Sequence, residues 1–214
     1  MGKFVVAICG NIGVGKSTLA KILSKKWNFS IVPEPQDRNP FLKNFYKDPK
    51  RWALHSQLFF LLSRLKILEI IEKSSDSFII DRTIYEDAEI FAKLVLTKRE
   101  YNLYREVYNR VIKDFPSPHL LIYLYAPVKV LKKRIEMRGR VYEKSIKTSY
   151  LKRLNEAYEE WIEGFNLCPV YRLNTEEFDL NNLFSNLSKV IDDIEKFSGK
   201  EERDDKRRGT KKTK

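Results

Sequence analysis

Residues 10–17 read GNIGVGKS, a complete G-x-x-x-x-G-K-S that lies between the apolar run KFVVAIC and a segment with Leu19, Ile22 and Leu23 at helical spacing. Such a loop wraps its backbone N–H groups around a triphosphate, and its glycines let the chain approach closely. It works where a buried strand hands over to a helix N-terminus, so the octapeptide demands an α/β fold from the outset. On this reading Gly10, Asn11, Ile12, Gly13, Val14, Gly15, Lys16 and Ser17, with the adjoining Thr18, contact a nucleotide. Lys16 reaches the β- and γ-phosphates, and the Ser17 hydroxyl ligates Mg²⁺. A GTP-dependent switch would also carry D-x-x-G and N-K-x-D, and neither occurs in the chain.

The rest of the sequence continues the alternation. Strands are expected at 3–9, at FSIV (29–32), SFII (77–80), HLLIYLYA (119–126) and CPVYRL (168–173), with helices between them. Asp48 and Pro49 have the right residue types to cap and open a long helix. Along it Leu54, Leu58, Leu61, Leu65 and Leu68 form an apolar seam. Further helices are expected over 15–27, 84–95 and 98–114, after Pro127, and over 179–196. This pattern predicts a five-stranded parallel sheet flanked by helices, an α/β P-loop fold whose ligands bind at the carboxyl ends of the strands.

Charged residues gather at those ends. VPEPQDRNP (32–40) holds Glu34 between two prolines just past the second strand, in a stretch expected to be stiff and extended rather than helical. A fixed carboxylate suits a kinase that acts on a hydroxyl. Asp81 and Arg82 follow the third strand directly: the acid as a metal-associated or proton-accepting carboxylate, the arginine to hold a transferring phosphoryl group. Asp87 and Phe91 are four apart and share a helix face. Arg134, Arg138 and Arg140 cluster around Gly139, which suggests an arginine-bearing lid over about 134–145. Closing it would exclude water from ATP.

Composition narrows the class further. The 214 residues suit one domain, expected over 1–198, and no apolar run approaches a membrane span. Cys9 and Cys168 match no metal or redox spacing, and the N-terminus reads as a strand, so a cytoplasmic protein is expected. The formal charge of +12 invites a nucleic-acid reading, but the basic stretch 199–214, with eight basic and four acidic residues, has no apolar period and reads as a solvated, disordered tail. Nucleic acid is not the expected partner. His55 and His119 read as ordinary structural residues.

The ordered set GNIGVGKS, EP, FYKDPKRWALHSQLFFLLSR, DRTIYED and RGRVYE, reaching to about residue 173, resembles the deoxynucleoside kinases, particularly the bacterial deoxyadenosine/deoxyguanosine kinase branch. The resemblance implies a P-loop kinase fold and transfer from Mg·ATP to the 5′-hydroxyl of a deoxynucleoside, purine or deoxycytidine, by a homodimer joined through the long leucine-seamed helices. It implies that Glu34 receives the 5′-hydroxyl and that Tyr46 and Glu143 bind the sugar 3′-hydroxyl. It further implies that Gln57 reads the base, Arg64 and Asp87 face the base edge, and Phe91 stacks on the ring. Thr83 stands where the family usually has Ser. Gln36 stands where an aliphatic residue, often valine, is common, which leaves the choice of base open. A nucleoside monophosphate kinase, or a P-loop protein that binds nucleic acid through its tail, remains the alternative.

Overall fold

The computed structural model describes residues 3–115, 117–176 and 191–197. Its centre is a sheet of five parallel strands: β1 (Val5–Gly10), β2 (Ser30–Val32), β3 (Phe78–Asp81), β4 (Leu120–Tyr125) and β5 (Val170–Asn174). They lie in the order β2-β3-β1-β4-β5. β1 runs down the middle between β3 and β4, and all six of its residues are buried. That burial explains why the strand reads as an unbroken apolar run instead of an alternation.

Alternate residues of β1 serve different layers. Val5, Ala7 and Cys9 face α3 (Pro49–Lys73), the helical segment α4 (Ile84–Val95), α5 (Lys98–Val111) and α7 (Thr148–Gly164). Val6 and Ile8 pack with α1 (Lys16–Trp27), α6 (Val128–Arg138) and the helical residues 191–197. A short α2 (Leu42–Lys47) leads into α3. Asp48 caps α3 by accepting from the Arg51 N–H at 3.3 Å, with Pro49 in its first turn.

Several expectations need correction. VPEPQDRNP is not extended throughout: Gln36–Arg38 form a 3-10 turn, because Pro35 ends the stretch at φ −80°, ψ 33° and lets the chain turn. The helices α2 and α7 had no counterpart in the sequence reading, although Leu151, Leu154, Tyr158 and Ile162, all buried on α7, recur at helical spacing. The leucine seam of α3 is only the edge of its buried face. Leu61 and Leu68 are buried while Leu54, Leu58 and Leu65 are half-buried, and the centre of that face includes Gln57 and Arg64. α4 is helical as expected, but its middle, Asp87–Ala92, is π-wound, a form that recurs at functional sites. The expected last helix falls partly on residues 177–190, and the basic stretch 199–214 falls wholly, outside the described residues.

Candidate active site

The loop between β1 and α1 adopts positive φ at Gly10 (137°), Gly13 (81°) and Gly15 (107°). Gly10 has no alternative: a Cβ there would stand 2.3 Å from the Leu124 carbonyl oxygen of β4. Lys16 Nζ donates to the carbonyls of Gly10 (2.8 Å) and Asn11 (3.1 Å), which curls its stem over the loop. Ile12, Gly13, Gly15, Lys16, Ser17 and Thr18 open into a cavity of about 340 Å³. Gly10, packed against Leu124, does not line it, and two further loop residues are placed otherwise. Val14 is buried in the core, and the Asn11 amide turns inward to donate to the Leu151 carbonyl (2.8 Å) and to Asn155 Oδ1 (2.6 Å). Any contact that Asn11 or Val14 makes with a nucleotide is therefore through backbone.

The same cavity receives groups from the ends of β2 and β3. Glu34 lines it, and Oε1 of Glu34 accepts from Arg82 Nη1. Arg82 has φ 70°, a left-handed conformation that costs a non-glycine residue about 1–3 kcal/mol. Its guanidinium sits 3.5 Å from the Phe91 ring centroid, 5.1 Å from that of Phe60, and at 3.3 Å ion-pair distance from Asp87 Oδ1. Burial alone would push the Glu34 carboxyl up, but Arg82, Lys16 and Arg64 outweigh it and hold it below its ordinary value. Asp81 goes the other way. Burial and the charge of Glu34 raise it, against Lys16, the Ser17 hydroxyl and Arg64.

Ser17 Oγ donates to Asp81 Oδ2 at 2.5 Å, while the buried Oδ1 of Asp81 has no hydrogen-bond partner among the described residues. Two adjacent hard oxygens, one carrying an unused acceptor, are a donor set that fits Mg²⁺, which draws its other ligands from water and phosphate. Among the described residues no group of three or more His, Cys, Asp or Glu could hold a metal.

Gln57, Phe60, Phe91, Phe45, Tyr46 and Gln36 form the opposite wall. Behind it Arg64 Nε donates to Asp87 Oδ2 at 2.8 Å, and both side chains are fully buried. Among the described residues Gln57 Oε1 and both terminal nitrogens of Arg64 have no hydrogen-bond partner, while Asp87 Oδ1 faces Arg82 Nε. A buried polar group left in that condition costs about 1–3 kcal/mol, so this wall has donors and acceptors ready for a polar ligand edge.

The arginine cluster is only partly assembled here. Arg134 and Arg138 line the cavity. Arg134 is also tied to the end of β5, donating to Thr175 Oγ1 (3.0 Å) and to the Thr175 carbonyl. Arg138 grips the buried Glu143 with two contacts of 2.7 Å. Arg140 stands outside, 3.4 Å from Asp37 and 3.6 Å from Glu143. Glu143 too lies outside this cavity and lines a separate one with Gly139 and Arg140. The structure thus brings Tyr46 and Gln57 together with Glu34 but leaves Glu143 on the arginines. Gly139, at φ 69°, ends α6 where this segment begins.

Sequence reasoning missed Tyr150 and Met137, which line the cavity, and Tyr142, whose hydroxyl donates to Asp37 Oδ1 at 2.7 Å and whose ring lies parallel to Tyr46. Tyr150 lies on α7 and was reachable through that helix's period; Tyr142 carried no local signal.

Known proteins resemble this chain in sequence and in fold. The family model described as deoxynucleoside kinase matches residues 6–198. The chain is 39% identical over 197 residues to the deoxyadenosine/deoxycytidine kinase of Bacillus subtilis, covering 89% of this chain and 91% of that protein. It is 40% identical over 158 residues to the deoxyguanosine kinase of the same organism, covering 72% and 76%. The deoxyadenosine kinase of M. mycoides, solved with dCMP and dCDP, superposes with a TM-score of 0.77 at 30% identity, covering 89% of this chain and all of that one. The same enzyme has been solved with dATP, where the TM-score is 0.76.

Proposed function

This chain belongs to the deoxynucleoside kinase family, whose members phosphorylate deoxynucleosides, and on that premise we propose that it transfers the γ-phosphoryl group of Mg·ATP to the 5′-hydroxyl of a purine deoxynucleoside or deoxycytidine. One observation carries the reading: the phosphate loop and the Glu34 carboxylate open into one cavity, with Arg82 fixed beside them. Glu34 receives the hydroxyl proton, Arg82 holds the phosphoryl group in passage, and Tyr46 positions the sugar. Gln57, backed by the Arg64–Asp87 pair, reads the base against Phe91. The buried donors and acceptors without partners support that assignment. Ser17 and Asp81 would hold Mg²⁺, whose charge offsets that of the β- and γ-phosphate oxygens. Arg134, Arg138 and Arg140 form a lid segment, and its closure would hand Arg138 to the phosphates and Glu143 to the 3′-hydroxyl. A nucleoside monophosphate kinase would need extra cations to hold the acceptor phosphate, whereas the Glu34 carboxylate in this cavity argues for a neutral hydroxyl acceptor. A cytoplasmic location suits an ATP-dependent kinase of this kind, and no described helix is long and apolar enough to cross a membrane.

Incubation with ATP, with and without Mg²⁺, and each of the four common deoxynucleosides and their monophosphates tests the reading. Mg²⁺-dependent 5′-monophosphate formation is expected, and phosphorylation of monophosphates alone would overturn it. In the same assay Gln36→Val is expected to shift the kcat/KM ratio between bases about tenfold, the scale of one pocket contact.

We infer a homodimer as well, through a surface displaced from the leucine seam. Leu62 and Ile70 on α3 are 58% and 57% exposed, and Leu103 and Val107 on α5 are 55% and 43% exposed. An apolar face of this kind on two neighbouring helices suits a second copy of the chain. Sedimentation should give twice the monomer mass at micromolar concentration and the monomer mass for Leu62→Glu/Leu103→Glu; a wild-type monomer would rule the dimer out.

A further inference from the structure

Resting on the kinase reading above, we propose that Glu86 and Tyr158, neither of which lines the cavity, are positioning residues that hold Arg82 and Phe91 in place for the transfer. Arg82 stands in the left-handed region, and such a conformation persists only where its surroundings over-determine it. Two consecutive backbone donors are pinned here. The Arg82 N–H donates to the Ile8 carbonyl at 3.0 Å, and the next N–H, of Thr83, donates to Glu86 Oε2 at 2.6 Å. The first bond is supplied by β1. The second depends on a carboxylate that is itself fully buried and would be free to rotate if held at one oxygen only.

Tyr158 supplies the other hold. Its hydroxyl donates to Glu86 Oε1 at 2.7 Å, so each carboxylate oxygen has one donor. Burial pushes the Glu86 carboxyl up, while Arg82, Lys16, the Thr83 N–H and the Tyr158 hydroxyl favour its charged form. The Tyr158 ring does a second thing. It lies over Tyr123 (5.9 Å, 17°) and meets Phe91 edge-on (6.1 Å, 81°), and Phe91 is the ring that supports the Arg82 guanidinium. One residue of α7 therefore braces Arg82 twice, through its backbone bend and through the ring under its head. The ring contact survives loss of the hydroxyl, which makes the two supports separable.

The test is Tyr158→Phe, with Glu86→Ala and Glu86→Gln beside it, each measured at saturating substrates and normalised to the folded fraction by circular dichroism. Tyr158→Phe and Glu86→Ala are expected to lower kcat about 10- to 100-fold, the scale of a misplaced catalytic group, with KM for Mg·ATP unchanged because the phosphate loop is untouched. Glu86→Gln should stay within about fivefold of wild type, since its amide oxygen still accepts from Thr83. Combined with Arg82→Lys, Tyr158→Phe should lower kcat little further, because both changes remove the same geometry. Wild-type kcat in folded Tyr158→Phe and Glu86→Ala would overturn the proposal, and so would losses that simply multiply with that of Arg82→Lys. If Tyr158→Phe does not fold, the contrast between Glu86→Ala and Glu86→Gln, together with its cycle against Arg82→Lys, decides the matter. A wild-type enzyme that phosphorylates no deoxynucleoside would instead overturn the kinase reading and this proposal with it.

Discussion

Replacing Glu34 by glutamine is expected to lower kcat by about two to four orders of magnitude, the size of an acid–base contribution. The fold should survive, because the amide fills the same space at the end of β2 and Arg82 keeps Asp87 as a partner. What is lost is a negative oxygen at the acceptor hydroxyl. Arg82, Lys16 and Arg64 hold the Glu34 carboxyl below its ordinary value, so at neutral pH it is ionised and a weak base. A weak base helps chiefly by orienting the hydroxyl and takes the proton late, as phosphoryl transfer nears completion. Steady-state kinetics with a deoxynucleoside acceptor checks this, and KM for ATP should change little. A folded Glu34→Gln enzyme with near-wild-type kcat would move the proton to Asp81, whose carboxyl burial raises.

Arg82→Ala should damage stability and catalysis together. The guanidinium pairs with Glu34 and Asp87, whose side chains are 9% and 0% exposed. Removing it strips the nearly buried Glu34 of its ion-pair partner and leaves Asp87 with Arg64 alone, a loss of the kind that typically costs about 3–5 kcal/mol. For a chain of this length that corresponds to a fall in Tm of about 10 °C. Loss of the positive charge beside the phosphoryl path should lower kcat by a further factor of about 100 to 1,000. Arg82→Lys should recover much of the thermal stability but little of the rate, because an ammonium cannot present two parallel donors. Differential scanning fluorimetry and kcat, measured on the same samples, separate the two effects. An unchanged Tm for Arg82→Ala would show that Glu34 and Asp87 do not depend on it.

Much of the fold was legible because the signals are local. GNIGVGKS needs only its own glycines and the flanking strand and helix, and all five strands fall where apolar runs meet turn residues. α7 is less marked: Leu151, Leu154, Tyr158 and Ile162 keep a helical period, but no side-chain cap marks its start at Lys147. The extended reading of VPEPQDRNP failed at Gln36 for a different reason. Proline restricts its own φ and the residue before it, and leaves the residues after it free to turn.

The sequence by itself determined the residue types and their order: a phosphate loop after the first strand, an acid after the second, an acid–arginine pair after the third, and a later arginine cluster. Those follow from chain connectivity, since consecutive residues cannot separate. Only the tertiary structure decided who meets whom. Arg64 and Asp87, 23 positions apart, share one buried contact, Glu143 is taken by Arg138 and not by the cavity, and Tyr158 reaches back 72 positions to Glu86. Side-chain partners are chosen by packing across helices, where desolvation makes every buried charge find a counterpart, and no spacing along the chain encodes that choice.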